Sequence, residues 1–574
     1  MSQITIGQTR KGRPLIIPPK IRSTHMQVIG ASGTGKTKFL ENMIRQDILD
    51  NQGLCLIDPT GNLFHDLVRW CETKDFFGRK PIHLFDPSSD TWTFGFNPLN
   101  FGDVAQQDIS FFVDAMVKAC AQVWGGEDTN ATPLLKRCLR ITFHALAEKR
   151  LTLLEALDLI TAETTVLRRS LTRDIVDPVV RLQWQGFQNM RPRDFTEQFG
   201  STANRLMEFL ASERIRRILG QQENILHFRS LMDQGHVLLV NLSSGRNISE
   251  DNASLLGALI VNDLFLKARG RPKGSRPFYL YIDECARFIN PDIGRILDEG
   301  RQFGLHLILA HQHLSQLLKA GEAVYGAVMT DARTKVVFGG LSPDDAEEMA
   351  RNVFMGEFNL EEAKQSLMKP VVVGYDTVWL SSHSTSDGES HGSSQSNGSG
   401  SSTTGTTGRT WRESEDWFFG EEEELSRSSS QALGISTSSS SGSSFSRSSS
   451  STYGESESLM PILKTLPGAV FSLEEQQHKA AAKLRNLRQQ QAVIKMPDRL
   501  SVGITATRVE DGYARPERVE RFKQASFQQS PFATPIPEVE RELADRRSRL
   551  EKEALQAGQA GKKPEPETPD DFLE

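Results

Sequence analysis

Residues 30–37 read Gly30-Ala31-Ser32-Gly33-Thr34-Gly35-Lys36-Thr37, a complete G-x-x-x-x-G-K-[ST] phosphate-loop (Walker A) sequence. Its glycines allow successive backbone N–H groups to turn inward around a phosphate chain. Lys36 adds a positive charge at the β- and γ-phosphates, and the Thr37 hydroxyl is a ligand for Mg²⁺. A short apolar run at 26–29 precedes the loop, and residues 37–44 have helical spacing. The stretch therefore predicts a strand–loop–helix unit that binds ATP with Mg²⁺ at the helix N-terminus.

Two further polar segments follow later apolar runs. Residues 278–282 are apolar and lead into Asp283 and Glu284, which is a Walker B pattern. Asp283 is predicted to hold Mg²⁺ through its water shell, and Glu284 to polarise the water that attacks the γ-phosphate. Gln312 follows the apolar run 305–311. In a parallel sheet that strand can lie beside the others, which brings the Gln312 amide to the γ-phosphate.

Arg301 lies just before the run 305–311. A guanidinium at this position could reach the γ-phosphate of a neighbouring subunit as an arginine finger. The alternative is an arginine at a helix end that pairs with Glu299. The residues themselves leave both interpretations open.

The apolar runs also predict the fold class. They are short, rich in Val, Ile and Leu, and alternate with helical patterns, which is typical of an α/β fold with a parallel sheet covered on both faces. The predicted strands are 26–29, 53–58, 81–86, 236–242, 278–283, 305–311 and 335–339.

The alternation of patterns predicts six parts of the chain. Thirty of the 78 residues in 381–458 are serine, so this part cannot bury enough apolar surface to offset the entropy of ordering. Residues 459–510 contain two strand-like runs, 468–471 and 492–494, around a helical pattern at 473–490. The ATPase domain is predicted to consist of three parts, which are its start at 1–102, its continuation at 231–380 and its completion at 459–510. The other parts are an inserted all-helical domain at 103–230, a disordered insertion at 381–458 and a charged tail containing prolines at 511–574.

Composition excludes several classes of protein. The net charge of −6 excludes a generally basic nucleic-acid coat. The five cysteines form no C-x-x-C pair, which is typical of reduced thiols in a cytoplasmic protein. We find no uncharged apolar run long enough for a transmembrane helix, so we expect no membrane span.

Several segments together resemble the HerA–FtsK superfamily of ring ATPases, and within it the TraG/TraD-like coupling proteins of type IV secretion. The motifs occur in the family's order over residues 1–380, and a weaker similarity covers 459–508. The segments that carry the resemblance are 23–30, 56–63, 96–99, 204–210, 235–242, 282–284, 300–304 and 311–312.

This resemblance implies a RecA-like ATPase domain with an inserted all-helical domain, assembled as a homo-hexamer around a pore that carries DNA. It implies ATP hydrolysis at subunit interfaces, with the phosphate-loop, Walker B and Gln312 side chains acting in one subunit and Arg301 in the next. It also implies delivery of a relaxase–DNA substrate to secretion-channel proteins. Family members usually carry N-terminal membrane helices, whereas we expect no membrane span in this sequence. We therefore expect a cytoplasmic protein that is peripheral at the inner face of the membrane and works with a separate membrane subunit.

Three functions remain open at this point. The first is a DNA translocase for conjugative transfer, whose ATPase activity DNA would stimulate. The second is an ATP-driven motor with another role, either a HerA-like DNA-processing or defence ATPase with a nuclease partner or a motor for protein substrates. The third is a nucleotide-gated scaffold that recruits partners through the serine-rich insertion and the acidic C-terminal tail.

Overall fold

The computed structural model describes residues 3–76, 79–101, 109–125, 133–223, 226–245, 248–289, 293–358, 368–388, 400–402, 434–436, 448–467 and 472–560. The strands are β1 Ile4–Thr9, β2 Pro14–Ile17, β3 Met26–Ile29, β4 Gly53–Asp58, β5 Ile82–Phe85, β6 Trp92–Phe94, β7 Val237–Asn241, β8 Phe278–Ile282, β9 Leu305–His311, β10 Thr334–Phe338, β11 Met368–Gly388, β12 Gly400–Ser402, β13 Gly434–Ser436, β14 Ser448–Pro467, β15 Gln491–Lys495, β16 Val502–Ala506 and β17 Ala533–Pro535. The α-helices are α1 Pro19–Arg22, α2 Lys36–Leu49, α3 Asn62–Thr73, α4 Ile109–Gly125, α5 Pro133–Glu148, α6 Ala156–Ile160, α7 Thr165–Thr172, α8 Pro178–Gln188, α9 Pro192–Ala211, α10 Glu213–Leu219, α11 Phe228–Gln234, α12 Glu250–Arg269, α13 Ile293–Glu299, α14 Leu314–Ala320, α15 Glu322–Asp331, α16 Pro343–Phe354, α17 Leu473–Arg485, α18 Pro516–Gln529 and α19 Ile536–Ala560.

The chain divides into two compact units, Met1–Met355 with Ala480–Glu574, and Gly356–Lys479. The first unit contains a sheet of eleven strands in the order β2-β1-β16-β15-β10-β3-β9-β8-β4-β7-β5. From β10 to β5 every neighbouring pair is parallel, whereas the four pairs from β10 to β2 are antiparallel. This is the α/β class with a largely parallel sheet that the sequence predicts.

The central strands form because their sequences are apolar along their whole length. Every residue of β3, β4, β8 and β9 is buried, as expected for parallel strands covered by helices on both faces. Each of the seven strands predicted from apolar runs is present, with bounds that differ by at most one residue at either end. The carboxyl ends of β3, β8 and β9 consequently meet at one edge of the sheet, where the loop at 30–37 lies.

The described residues between β6 and β7 contain α4–α11 and no strand, in agreement with the helical spacing of this region. Aromatic side chains fill its interior. Trp184, Phe187, Phe195 and Phe199 are all buried and their rings lie within 6 Å of Phe199 or of one another. Across the described ranges, none of the helices has both the length and the apolar character that a bilayer crossing requires.

The second unit contains a long antiparallel pair, in which β11 and β14 are in register from Met368 with Pro467 to Gly388 with Ser448. The ends of the insertion for which the composition predicts disorder, residues 381–388 and 448–458, belong to this pair. Backbone pairing satisfies N–H and C=O groups whatever the side chains, so a serine-rich sequence can form a ladder without an apolar core. A shorter pair joins β12 to β13. Most of the rest of the insertion lies outside the described residues.

The segment after the insertion returns to the large sheet. The predicted strand at 492–494 corresponds to β15, which pairs with β10 and β16. The predicted helix at 473–490 is α17, and it ends earlier, at Arg485. Residues 486–490 then turn towards the loop at 30–37, where the Gln490 N–H donates to the Thr34 carbonyl at 2.8 Å. The predicted strand at 468–471 lies outside the described residues.

The segment 511–560 is folded, which differs from the charged tail that its composition predicts for 511–574. Helix α18 packs against α3 and β5, β17 pairs with β6, and α19 packs along α7. Phe522, Phe527 and Val539 are buried, and Lys523 forms a salt bridge of 3.1 Å with the buried Asp86. Several charges of this segment therefore bind partners on the folded unit, and those partners are distant in sequence.

Candidate functional site

The loop at 30–37 has the geometry of an anion site. Gly33 and Gly35 have φ values of +77° and +116°, a region that glycine adopts without steric strain. The backbone N–H groups of residues 33–37 have no hydrogen-bond partner among the described residues. Unpaired N–H groups at the start of a helix bind phosphate groups well, and here they belong to the loop and the first turn of α2.

Neighbouring segments hold this loop in place. The Ala31 N–H donates to the Gly339 carbonyl at 3.1 Å, and the Thr34 hydroxyl donates to the Ala31 carbonyl at 2.7 Å. A Cβ atom on Gly30 would lie 2.5 Å from the Cβ of Phe338, so only glycine fits between β3 and β10 at this point. The loop is therefore preformed by contacts with β10 and with the turn after it.

Lys36 lies inside the loop and carries the charge that a phosphate chain would meet. Its ammonium donates to the carbonyls of Gly30 at 2.6 Å and Ala31 at 3.0 Å, and the residue is 6% exposed. Burial lowers the pKa of Lys36, while the carboxylates of Glu284 and Asp283 oppose that shift. The electrostatic attraction between an anion and this partly desolvated ammonium is stronger than the attraction between an anion and a surface lysine.

Thr37 and Asp283 provide oxygen ligands of the kind that Mg²⁺ prefers. The Thr37 hydroxyl donates to the Asp283 carboxylate at 3.3 Å. Burial, together with the nearby Asp58 and Glu284 carboxylates, raises the pKa of Asp283 to about 6. A hydroxyl beside a buried carboxylate crowded by other carboxylates fits a hard divalent cation, because the cation would stabilise the ionised form.

Glu284 and Gln312 are in direct contact. The Gln312 side-chain amide donates to Glu284 Oε1 at 2.6 Å. Glu284 has a φ of +46°, which is uncommon for a residue with a side chain. Glu284 N–H also donates to Asp283 Oδ1 at 3.0 Å. The structure thus brings Asp283, Glu284 and Gln312 together with Lys36 and Thr37 at one edge of the sheet.

Arg301 does not lie with these residues. It precedes β9, whereas Gln312 follows it, and seven residues of strand at about 3.3 Å each separate the two by roughly 20 Å. Glu299, the alternative partner of Arg301, forms its salt bridge with Arg269 at 3.1 Å. Arg301 is exposed and forms no ion pair with any described residue. Among the described residues its guanidinium therefore has no ion-pair partner, and it lies at the opposite edge of the sheet.

Two contributors to the site were not assigned a role from the sequence. Asp58, at the end of β4, is buried and accepts hydrogen bonds from the Thr60 hydroxyl at 2.8 Å and the Phe64 N–H at 2.9 Å. The sequence pattern could have indicated Asp58, because it ends an apolar run just as Asp283 follows one. Gln490 contacts the loop through its backbone N–H, which no side-chain pattern can reveal.

Comparison with known proteins gives one family and several solved structures. The family model described as the type IV secretion-system coupling protein DNA-binding domain matches residues 13–370. Among curated protein sequences no match is found.

Three solved structures illustrate the structural similarity. The bacterial conjugative coupling protein TrwB in an unbound form is 15% identical, with 89% of this chain and 91% of that chain covered and a TM-score of 0.47. TrwB in complex with ADP and Mg²⁺ is 14% identical, with 90% and 96% covered and a TM-score of 0.47. VirB4 of Thermoanaerobacter pseudethanolicus is 12% identical, with 61% and 87% covered and a TM-score of 0.40.

Proposed function

The chain belongs to the type IV secretion-system coupling protein DNA-binding domain family, and we propose that it is an ATP-driven DNA translocase that works as a ring. The observation that carries this proposal is the division of its polar groups. Lys36, Thr37, Asp283, Glu284 and Gln312 converge at one edge of the sheet, and Arg301 lies at the other edge.

The first edge provides what ATP hydrolysis needs from one subunit. The N–H groups of residues 33–37 and the Lys36 ammonium bind the phosphate chain. Thr37 and Asp283 would hold Mg²⁺, and the bound ion would neutralise negative charge on the phosphate chain. Glu284 accepts a hydrogen bond from the attacking water and orients it.

The Gln312 amide gives the site a means of responding to the nucleotide. Its contact with Glu284 at 2.6 Å holds the carboxylate in one orientation. The same amide is a donor that a γ-phosphate oxygen can compete for. When the amide turns to that oxygen, Glu284 loses its hydrogen bond to Gln312 and can accept one from the attacking water. Breaking this one hydrogen bond therefore links detection of the γ-phosphate to hydrolysis.

The second edge provides Arg301 to a neighbouring subunit. The strand between Arg301 and Gln312 is roughly 20 Å long, so the Arg301 guanidinium cannot reach phosphates bound to its own chain, since direct contact requires about 3 Å. An exposed arginine that pairs with no acid in the described part of the chain is available to a neighbouring copy, and a ring repeats that contact at every interface. By resemblance to its family, we propose six subunits.

We propose DNA as the cargo, in keeping with the DNA-binding description of the family. The partners that follow are a relaxase bound to DNA, the proteins of a secretion channel, and a separate membrane subunit that holds the ring at the inner face of the membrane. A scaffold that binds ATP without turnover is less well supported, because the chain has both Glu284 to orient a water and Gln312 beside it to respond to the γ-phosphate.

The test is the ATPase rate of the full chain with and without DNA over a series of salt concentrations. DNA should raise the rate, and salt should reduce the effect because phosphate contacts release counterions. Lys36→Ala should lose nucleotide binding, whereas Glu284→Gln should keep binding and lose turnover. An ATPase rate that is the same with and without DNA at every salt concentration would refute the DNA-motor proposal. Tight ATP binding without turnover would favour the scaffold.

A further inference from the structure

The backbone around Arg301 is firmly held, although its side chain is exposed and forms no ion pair within the described ranges. Arg271 Nη1 donates to the Phe303 carbonyl at 3.0 Å, and the Phe278 N–H donates to the Gly304 carbonyl at 2.8 Å. These bonds fix the segment 300–304 at its C-terminal side. The N-terminal side is held by a residue that lies just before the strand leading to the phosphate loop.

That residue is His25, which is 2% exposed and uses both ring nitrogens. Its Nε2 lies 2.8 Å from the Leu297 carbonyl, and its Nδ1 lies 3.0 Å from the Leu307 N–H. A carbonyl can only accept and an N–H can only donate, so Nε2 carries the proton and Nδ1 is the acceptor. Leu297 and Leu307 lie on either side of Arg301 in the chain.

The backbone of His25 belongs to the nucleotide side of the domain. Its carbonyl accepts a hydrogen bond from the Thr334 N–H at 3.2 Å, at the start of β10. The next residue, Met26, begins β3, and β3 leads directly into Gly30 of the loop. One buried side chain therefore joins the strand that carries the loop to the helix and strand on either side of Arg301.

We propose that His25 is a positioning residue that couples the phosphate loop of its own subunit to the arginine that the subunit offers to its neighbour. This inference rests on the proposed action of Arg301 across the subunit interface. A shift of β3 when the loop binds phosphates moves His25, and His25 in turn moves Leu297 near the end of α13. The turn that carries Arg301 follows α13 directly and begins at Gly300.

The chemistry of the His25 ring suits a fixed link. Burial lowers the pKa of His25 to about 4, and the nearby Arg301 charge contributes to that shift. The ring therefore stays neutral near pH 7 and keeps one donor and one acceptor. A phenylalanine of similar shape would fill the space but hold neither Leu297 nor Leu307.

The first test compares kcat with nucleotide affinity in the full chain. His25→Phe should lower kcat by about tenfold to 100-fold, the cost of a misplaced catalytic group, while the Kd for ADP stays within about twofold. His25→Gln, whose amide also offers a donor and an acceptor, should recover most of the lost kcat. The control is His83→Phe, which removes another buried histidine, on β5, and should leave kcat unchanged.

The second test separates an effect on the neighbouring subunit from one on the same subunit. Mixing Glu284→Gln and Arg301→Ala subunits gives about one interface in four with an intact site facing an intact arginine. ATPase activity should therefore return in the mixture. If His25 positions Arg301, mixing His25→Phe with Glu284→Gln should restore activity in the same way. Should His25→Phe fail to fold, His25→Asn takes its place, because it loses the contact with Leu297.

Each outcome decides one point. Recovery in both mixtures supports the proposal. Recovery with Arg301→Ala but not with the His25 variant overturns it, because His25 then acts on the site of its own subunit. No recovery with Arg301→Ala refutes the action of Arg301 between subunits, and the positioning role fails with it.

Discussion

A buried ion pair connects the helix after the phosphate loop to the strand that ends at the Walker B acids. Asp47, on α2, accepts hydrogen bonds from Arg22 Nη1 at 2.7 Å, Arg22 Nη2 at 2.8 Å and the Tyr281 hydroxyl at 2.5 Å. The Asp47 side chain has no exposed surface and that of Arg22 is 1% exposed. The Arg22 guanidinium also lies 3.8 Å from the ring centre of Tyr279. We therefore expect Asp47→Ala to be among the most destabilising single changes in the protein.

The magnitude follows from the contacts that are lost. Three charge-assisted hydrogen bonds at about 1.5 kcal/mol each give about 4–5 kcal/mol. Removing one partner of a buried ion pair typically costs about 3–5 kcal/mol, because the other charge stays buried. The two estimates agree, so we predict a loss of about 4 kcal/mol in the free energy of unfolding.

The assay is urea unfolding followed by tryptophan fluorescence at a fixed protein concentration. The control is Asp114→Ala, which breaks an exposed pair with Arg140 at 2.6 Å and should cost less than about 1 kcal/mol. The double variant Arg22→Met, Asp47→Leu removes both charges and should be more stable than Asp47→Ala alone. Equal losses for Asp47→Ala and Asp114→Ala would refute the reasoning.

Three further predictions concern the loop, the C-terminal segment and a buried lysine. Gly30→Ala should weaken nucleotide binding, measured by the Kd for ADP, because its Cβ would lie 2.5 Å from that of Phe338. Lys523→Met should speed proteolysis of 511–560, because it leaves the buried Asp86 without its ammonium partner. Burial lowers the pKa of Lys335 to about 7 in the folded state. Unfolding releases the lysine to its ordinary pKa, so stability should rise as the pH increases from about 7 to 10.

Each of these has a contradicting result. An unchanged Kd for ADP in Gly30→Ala would show that the loop has room beside β10. Proteolysis of Lys523→Met at the wild-type rate would show that the salt bridge does not hold the segment. For Lys335 the comparison is Lys335→Met, whose stability should lack the rise with pH. An equal rise in stability with pH in both proteins would show that titratable groups other than Lys335 cause it.

The sequence predicted the central sheet well because each strand there is a continuous apolar run with a turn at its end. That Lys36, Thr37, Asp283 and Glu284 lie close together was predictable for the same reason, since each follows such a strand. Gln312 required one more step, the assumption that β9 lies beside the other two strands, and the observed order β3-β9-β8 satisfies it.

The sequence was less informative where tertiary contacts decide the structure. After α17 the chain turns so that the Gln490 N–H meets the phosphate loop, and no local pattern reveals that contact. The segment 511–560 was grouped with a tail because its charges dominate its composition. Its partners, such as Asp86 for Lys523, are hundreds of residues away, so local patterns could not reveal that these charges are paired.

The central claim is that this chain uses ATP hydrolysis to move along DNA. It is tested most directly by displacement of a protein block from the end of a DNA duplex or single strand by the full chain. The account predicts displacement with ATP and Mg²⁺, none with a non-hydrolysable analogue, and none by Glu284→Gln even though that variant still binds nucleotide. Displacement by Glu284→Gln, or rapid ATP hydrolysis without displacement from either kind of DNA, would contradict it.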